Sequence, residues 1–178
     1  MSRLAEKYMT KITIVDEKDN VIGSEEREVA KQNGLIHRIV RVIIRNSKGQ
    51  LFLQKRGKEQ DTWPNRWDQS VGGHVDEGED YDSAALREMG EELGINDISL
   101  NKLDKWYQEE NMGGTILKRF NVLYGANYDG EIILAKGEIS GGEWFDINKI
   151  KKWMEENPDN FTPGCIDTFE RYWKLKGE

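Results

Sequence analysis

Glu88, Glu91 and Glu92 stand at i, i+3 and i+4, so at 3.6 residues per turn a helix through them gathers three carboxylates on one face. Like charges at such positions destabilise a bare helix by roughly a few tenths of a kcal/mol per pair, and a cation is the simplest compensation. Hard oxygen ligands select Mg²⁺, Mn²⁺ or Ca²⁺. On the same wheel Ala85, Leu86, Met89 and Leu93 form an apolar stripe that can pack on a sheet, leaving the acids pointing outward.

A Glu-rich helix face is by itself most often solvated surface. What surrounds this one changes the reading. Gly73, five residues, Glu79, seven residues, Arg87-Glu88, an apolar residue, any residue, Glu91-Glu92, any residue, Gly94 and the apolar Ile95 reproduce the Nudix hydrolase motif at every defined position. The sequence strongly resembles that family. The resemblance implies an αβα sandwich and a divalent-metal-dependent hydrolase, with Mg²⁺ or Mn²⁺, cleaving a phosphoanhydride in a nucleoside diphosphate linked to some moiety X.

Roles follow residue by residue. Glu88 and Glu92, one turn apart, are the principal metal ligands, with Glu91 a further ligand or the base that positions the attacking water. Arg87 lies beside the acids and orients carboxylates through its fork of donors. Glu79 is its natural partner, or that of the helix-start amides, while Asp80 or Asp82 caps the helix. Gly72, Gly73 and Gly78 allow close backbone approaches, and the resemblance implies that the Gly73 carbonyl adds a metal oxygen; a simple turn is the other reading of these glycines. It also allows the base to come from a distant loop, where Glu138 is the candidate, the alternative being an exposed turn residue. Arg38 and Arg56 are candidate phosphate contacts, as are Lys55 and Arg119, although each is otherwise an ordinary surface charge.

A second resemblance runs through Val15-Asp16-Glu17, Asn20 to Gly23, Leu35-Ile36-His37-Arg38, Asn46 to Leu51, Trp63 to Trp67 and Ser70 to His74. These stretches are similar to the isopentenyl-diphosphate isomerase branch of the superfamily, which implies that His37 and His74 help to hold a metal. Two departures speak against isomerisation. Gly72 stands where those isomerases carry a catalytic cysteine before the Gly-His pair, and the hydrolase motif is intact where theirs tends to be degenerate. Isomerisation and noncatalytic nucleotide sensing remain the competing functions.

The 178 residues suffice for one sizeable core, with 37% apolar residues and six tryptophans. A formal net charge of −7, without a long basic run, argues against a nucleic-acid polymer as partner and for a small diphosphate bridged by metal. The single Cys165 excludes an intramolecular disulfide. No signal-like stretch follows the charged start Met1 to Lys7, and no apolar run approaches a membrane span, so a cytoplasmic protein is expected. A homodimer is a common arrangement for such small enzymes.

The elements that must position these residues begin with a hairpin, residues 12–15 and 21–23, as part of an N-terminal extension over 1–34 that ends in a short helix or turn before Asn33-Gly34. The main domain, 35–178, opens with strands over 35–45 and 51–54, expected to pair. Trp63 to Asp68 forms a rigid aromatic loop whose tryptophans plug the core or line a ring site. A short strand over 69–73 feeds the acidic helix. Strands follow at 102–109 and 116–126, around an Asn111 to Gly114 turn, at 132–134 and at 142–147. Helices over 148–156 and 161–176 close the chain. Strands and helices in this order make an α/β sandwich.

Overall fold

The computed structural model describes residues 10–177; the charged start Met1 to Lys7 lies outside them. Its strands are β1 (Lys11–Val15), β2 (Val21–Glu26), β3 (Ile36–Arg45), β4 (Leu51–Arg56), β5 (Trp67–Asp68), β6 (Val71–His74), β7 (Asn101–Met112), β8 (Thr115–Asn127) and β9 (Ile139–Phe145). Its helices are α1 (Arg27–Gln32), α2 (Tyr81–Leu93), α3 (Ile147–Glu156) and α4 (Pro163–Lys176).

Strand β3 is the spine. It runs parallel to β8 along its whole length, from Ile36↔Lys118 to Arg45↔Asn127, and antiparallel to β6 from Ile39↔His74 to Val42↔Val71. It meets β1 only at Ile14↔His37 and β4 only at Arg45↔Leu51. The expected pairing of residues 35–45 with 51–54 is therefore confined to the hairpin end. Beyond it β4 turns away to pair with β9 and β5, and the mixed sheet splits. Ser70 closes the split: its hydroxyl accepts from the Ile44 amide at 2.8 Å and donates to the Phe52 carbonyl at 2.6 Å.

Because side chains alternate along a strand, β3 serves two layers. Val40, Val42 and Ile44 face α2 together with Ala84, Ala85, Met89 and Leu93. Ile43 faces the opposite layer, with Leu51, Leu53, Phe145, Ile150, Phe161, Phe169 and Tyr172. The result is an αβα sandwich on a nine-stranded mixed sheet, with the acidic helix packed on one face. No helix among the described residues is long and apolar enough to cross a membrane.

Two expectations change. Ile132 to Leu134 forms no strand; instead the Ile133 and Ala135 amides donate to the Leu93 and Glu92 carbonyls, satisfying the last turn of α2. The tight turn between β7 and β8 is Gly113-Gly114, both at positive φ, as a two-residue hairpin requires.

Candidate active site

Helix α2 begins with Asp80, whose carboxylate accepts from the Ser83 amide while the Ser83 hydroxyl accepts from the Asp80 amide. It ends at Gly94 in the left-handed conformation. Its orientation differs from the expected one. Leu86 is 41% exposed, and Ala84 takes its place in the core. Glu88 and Glu92, at 1% and 6% exposure, point inward against the edge of β6. Only Glu91 of the three remains partly open, because the acids reach the gap left by the split sheet rather than solvent.

Arg87 gathers the site. Its guanidinium grips both Glu79 oxygens, at 2.8 and 3.0 Å, and donates to the His74 carbonyl at 3.0 Å. Its Nη1 reaches Glu88 Oε1 at 3.0 Å and Glu91 Oε2 at 3.3 Å. Burial works against its charge, but the surrounding carboxylates more than offset this and raise its pKa above the ordinary value. Glu79, raised by burial but held by Arg87 and the Asp76 amide, ends below its usual range. Asp76 keeps less of this help, and burial pushes its carboxyl up to about 6.

Gly73 lets this packing happen. A Cβ there would lie 2.0 Å from Glu88 Oε1, so only glycine admits that carboxylate against the strand. Glu92 accepts from Gln54 Nε2 at 3.0 Å.

Glu92, Gly72 and Gly73 line a cleft of about 330 Å³ together with Glu138, Arg56 and Trp63. Glu138 is 4% exposed, which overturns its reading as an exposed turn residue. Its carbonyl is fixed by the Gly57 amide and Gln60 Nε2. Arg56 braces the intervening loop through Thr62 and Gln60. Trp63 lines the cleft, whereas Trp67 is a core plug packed against Phe145 and Trp153.

Arg38 is placed outside the cleft, bonded to buried Asp19 at 2.7 Å and stacked on Tyr81. Lys55 lies over the Trp67 ring. Arg119 lines the cleft, paired with Glu110. His37 and His74 stack with ring centroids 5.3 Å apart. Burial, with Arg119, Lys31 and Arg27 nearby, lowers the His37 pKa to about 4.

Sequence reasoning missed the wall opposite the acids, made by Arg27 and Lys31 of α1 and by Arg41 of β3. Alternation along β3 was the available signal, since Arg41 falls in phase with His37 and interrupts an apolar strand.

Among the described residues, no three His, Cys, Asp or Glu side chains already converge as an ion cage. The donor set nonetheless fits a hard divalent cation: oxygen-only carboxylates, two of them buried, on a strand segment whose missing Cβ makes room for one of them.

The mixed sheet between helical layers, with a carboxylate-bearing helix packed beside a cleft, defines the class of αβα sandwiches. Residues 35–165 match the NUDIX domain, and the chain belongs to the Nudix family, whose hydrolases generally use divalent metals. An uncharacterised Nudix hydrolase of Pseudomonas aeruginosa is 38% identical over 99 residues, 56% of this chain and 59% of that protein. Isopentenyl-diphosphate Delta-isomerase 2 of Photorhabdus laumondii is 36% identical over 95 residues, 53% of each chain. The crystal structure of DR0079 from Deinococcus radiodurans aligns with a TM-score of 0.70 at 31% identity, covering 83% of this chain and 90% of that one. The chain thus spans just over half the length of these curated relatives.

Proposed function

We propose that the protein is a divalent-metal-dependent pyrophosphohydrolase acting on a small nucleoside diphosphate linked to a moiety X. The observation that carries this reading is the burial of Glu92 in the cleft wall and of Glu88 beside it, with Gly73 making room for Glu88. Carboxylates are rarely buried unless a cation or donors compensate them.

Glu88 and Glu92, with Glu91 and the Gly73 carbonyl, are the groups that would hold Mg²⁺ or Mn²⁺. When bound, the ion supplies charge neutralisation on the nonbridging oxygens and makes water more acidic. Arg87 keeps Glu88 and Glu91 aligned. In the reaction, water oxygen adds to one phosphorus, the bridging P–O bond breaks, and the proton passes to a carboxylate. Glu138, which lines the same cleft as Glu92, is the better placed base; Glu91 is held by Arg87 and does not line it. Arg56 stands where it can contact the substrate from the loop side. A cytoplasmic location and a homodimer belong to the same reading.

The isomerase alternative meets an obstacle at Gly72, which offers no thiol where those isomerases carry their catalytic cysteine. A panel of nucleoside diphosphate derivatives with Mg²⁺ or Mn²⁺ tests the proposal. Release of nucleoside monophosphate or phosphate is expected, abolished by EDTA and by Glu92→Gln. No release from any member overturns it. Conversion of isopentenyl diphosphate to its allylic isomer would favour the isomerase, and thermal stabilisation by a nucleotide without turnover would favour a sensor.

A further inference from the structure

The cleft contains a charge that the hydrolytic reading leaves unused. Arg41 is only 5% exposed, and its bonded partners are two neutral carboxamides: Asn121 Oδ1 accepts from its Nε at 3.0 Å and Gln69 Oε1 from its Nη1 at 3.4 Å. Among the described residues no carboxylate pairs with it. Asp68 acts on it through space, but its own oxygens are engaged by Thr162, the Gln69 amide and Arg56. Asp167 also acts on it; its Oδ1 bonds Arg171, while its Oδ2 is buried without a hydrogen-bond partner among the described residues. Of the other acids lining this part of the cleft, Glu28 pairs with Lys31, Glu110 pairs with Arg119, and Asp61 acts on Lys31.

Two further features make the environment of Arg41 more positive. Gly164, in the first turn of α4, is packed so closely that a Cβ there would meet Arg41 Nη1 at 2.7 Å and Nη2 at 3.0 Å. The guanidinium therefore sits against the positive end of a 14-residue helix. Arg119 is near enough to repel it, and Arg119 Nε is buried with no hydrogen-bond partner among the described residues. Burial, with Arg119 nearby, outweighs the pull of Asp68, Asp167 and Cys165 and lowers the Arg41 pKa to about 10. A buried guanidinium, a second guanidinium and a helix N-terminus facing one cleft form a site that lacks only its anion.

We infer that Arg41, backed by Arg119 and the first turn of α4, forms an oxyanion subsite for X, so that the preferred substrate carries a carboxylate or phosphate besides its scissile diphosphate. The diphosphate is matched to the metal-holding acids, which leaves this cationic floor for a separate group. A neutral sugar or a prenyl chain would leave Arg41 buried and uncompensated. The inference rests on the hydrolase reading for the identity of X, while the anion site itself is independent of it.

The test separates the two. Inorganic phosphate, titrated by calorimetry without divalent metal, is expected to bind wild type and Glu92→Gln alike. In Arg41→Gln affinity should fall about 10- to 100-fold, the loss typical of one charge-assisted contact. Gly164→Ala favours the helix but pushes on the guanidinium, so it should weaken phosphate binding with no loss of thermal stability, which covers the case of an unstable Arg41→Gln. With metal, matched pairs are compared: UDP-glucuronate against UDP-glucose for a carboxylate, and NADPH against NADH for a phosphate. A preference of at least about tenfold in kcat/KM for one anionic member, carried by KM and lost in Gly164→Ala, supports the subsite and names the anion. Phosphate binding that ignores both variants, or turnover indifferent to the extra anion in both pairs, overturns it. Arg41-dependent phosphate binding without turnover of any substrate upholds the anion site and sinks the hydrolase reading instead.

Discussion

His37 gives a stability prediction whose size can be worked from its surroundings. It lies in β3 at 1% exposure, stacked on His74 of β6 and facing Arg119 of β8 and Arg27 and Lys31 of α1. Burial and those cations depress its pKa from 6.5 to about 4. Between these values the folded state binds fewer protons than the unfolded chain, so stability is fully present above pH 6.5 and is lost as pH falls toward 4. The window spans about 2.5 units, and at about 1.4 kcal/mol per unit the loss is on the order of 3 kcal/mol. Asp76 works the other way: its pKa is raised to about 6, so its destabilising charge is relieved as pH falls. It is present in both proteins when wild type is compared with His37→Gln and drops out of the difference. Urea unfolding without metal at several pH values from 7.5 to 4.5 should show a wild-type slope steeper by up to about 1.4 kcal/mol per unit. Parallel curves would refute the reasoning.

Other substitutions probe the frame of the site. Ser70→Ala leaves the Ile44 amide and Phe52 carbonyl without their bridge and should destabilise by about 2–4 kcal/mol in denaturant unfolding; a change below about 1 would show that the split sheet closes by itself. Arg87→Lys keeps the charge but not the fork, so turnover should fall at least about 10-fold and stability by about 1–3 kcal/mol, with near-wild-type kinetics counting against the clamp. Gly73→Ala drives a methyl into Glu88 and should lower metal-dependent turnover at least about 100-fold, whereas Gly141→Ala, whose Cβ would meet nothing nearer than 4.0 Å, should not. Equal effects of the two would remove the special role of Gly73.

The acidic helix was legible because its chemistry is local. Its cap, its motif spacing and its left-handed end at Gly94 are all set within a few turns of chain. Which way the acids face was not, since that depends on where β4 leaves β3, a long-range event with no sequence period. The same limit explains residues 132–134: three apolar residues resemble a strand, but the unbonded carbonyls at the end of α2 claim their amides first. Trp63 and Trp67 differ for a comparable reason. The loop geometry, with Trp63 at φ 51° and Asn65 at φ 60°, turns one ring to the cleft and the next into the core.

The position of the cleft follows from the sheet's defect rather than from the motif. Where β4 departs, the free edge of β6 and the polar side chains Gln54, Gln69 and Ser70 are left inside the protein with backbone groups to satisfy. Ser70 satisfies two of them, and Glu92 takes the Gln54 amide. A carboxylate placed there is fixed by the scaffold before any ion arrives. The opposite wall obeys the same logic with the sign reversed: Arg41 is oriented by carboxamides that do not neutralise it. Neutral partners for a buried cation, beside acids held in place by the scaffold, give the cleft one end suited to a metal cation and another suited to an anion of the substrate.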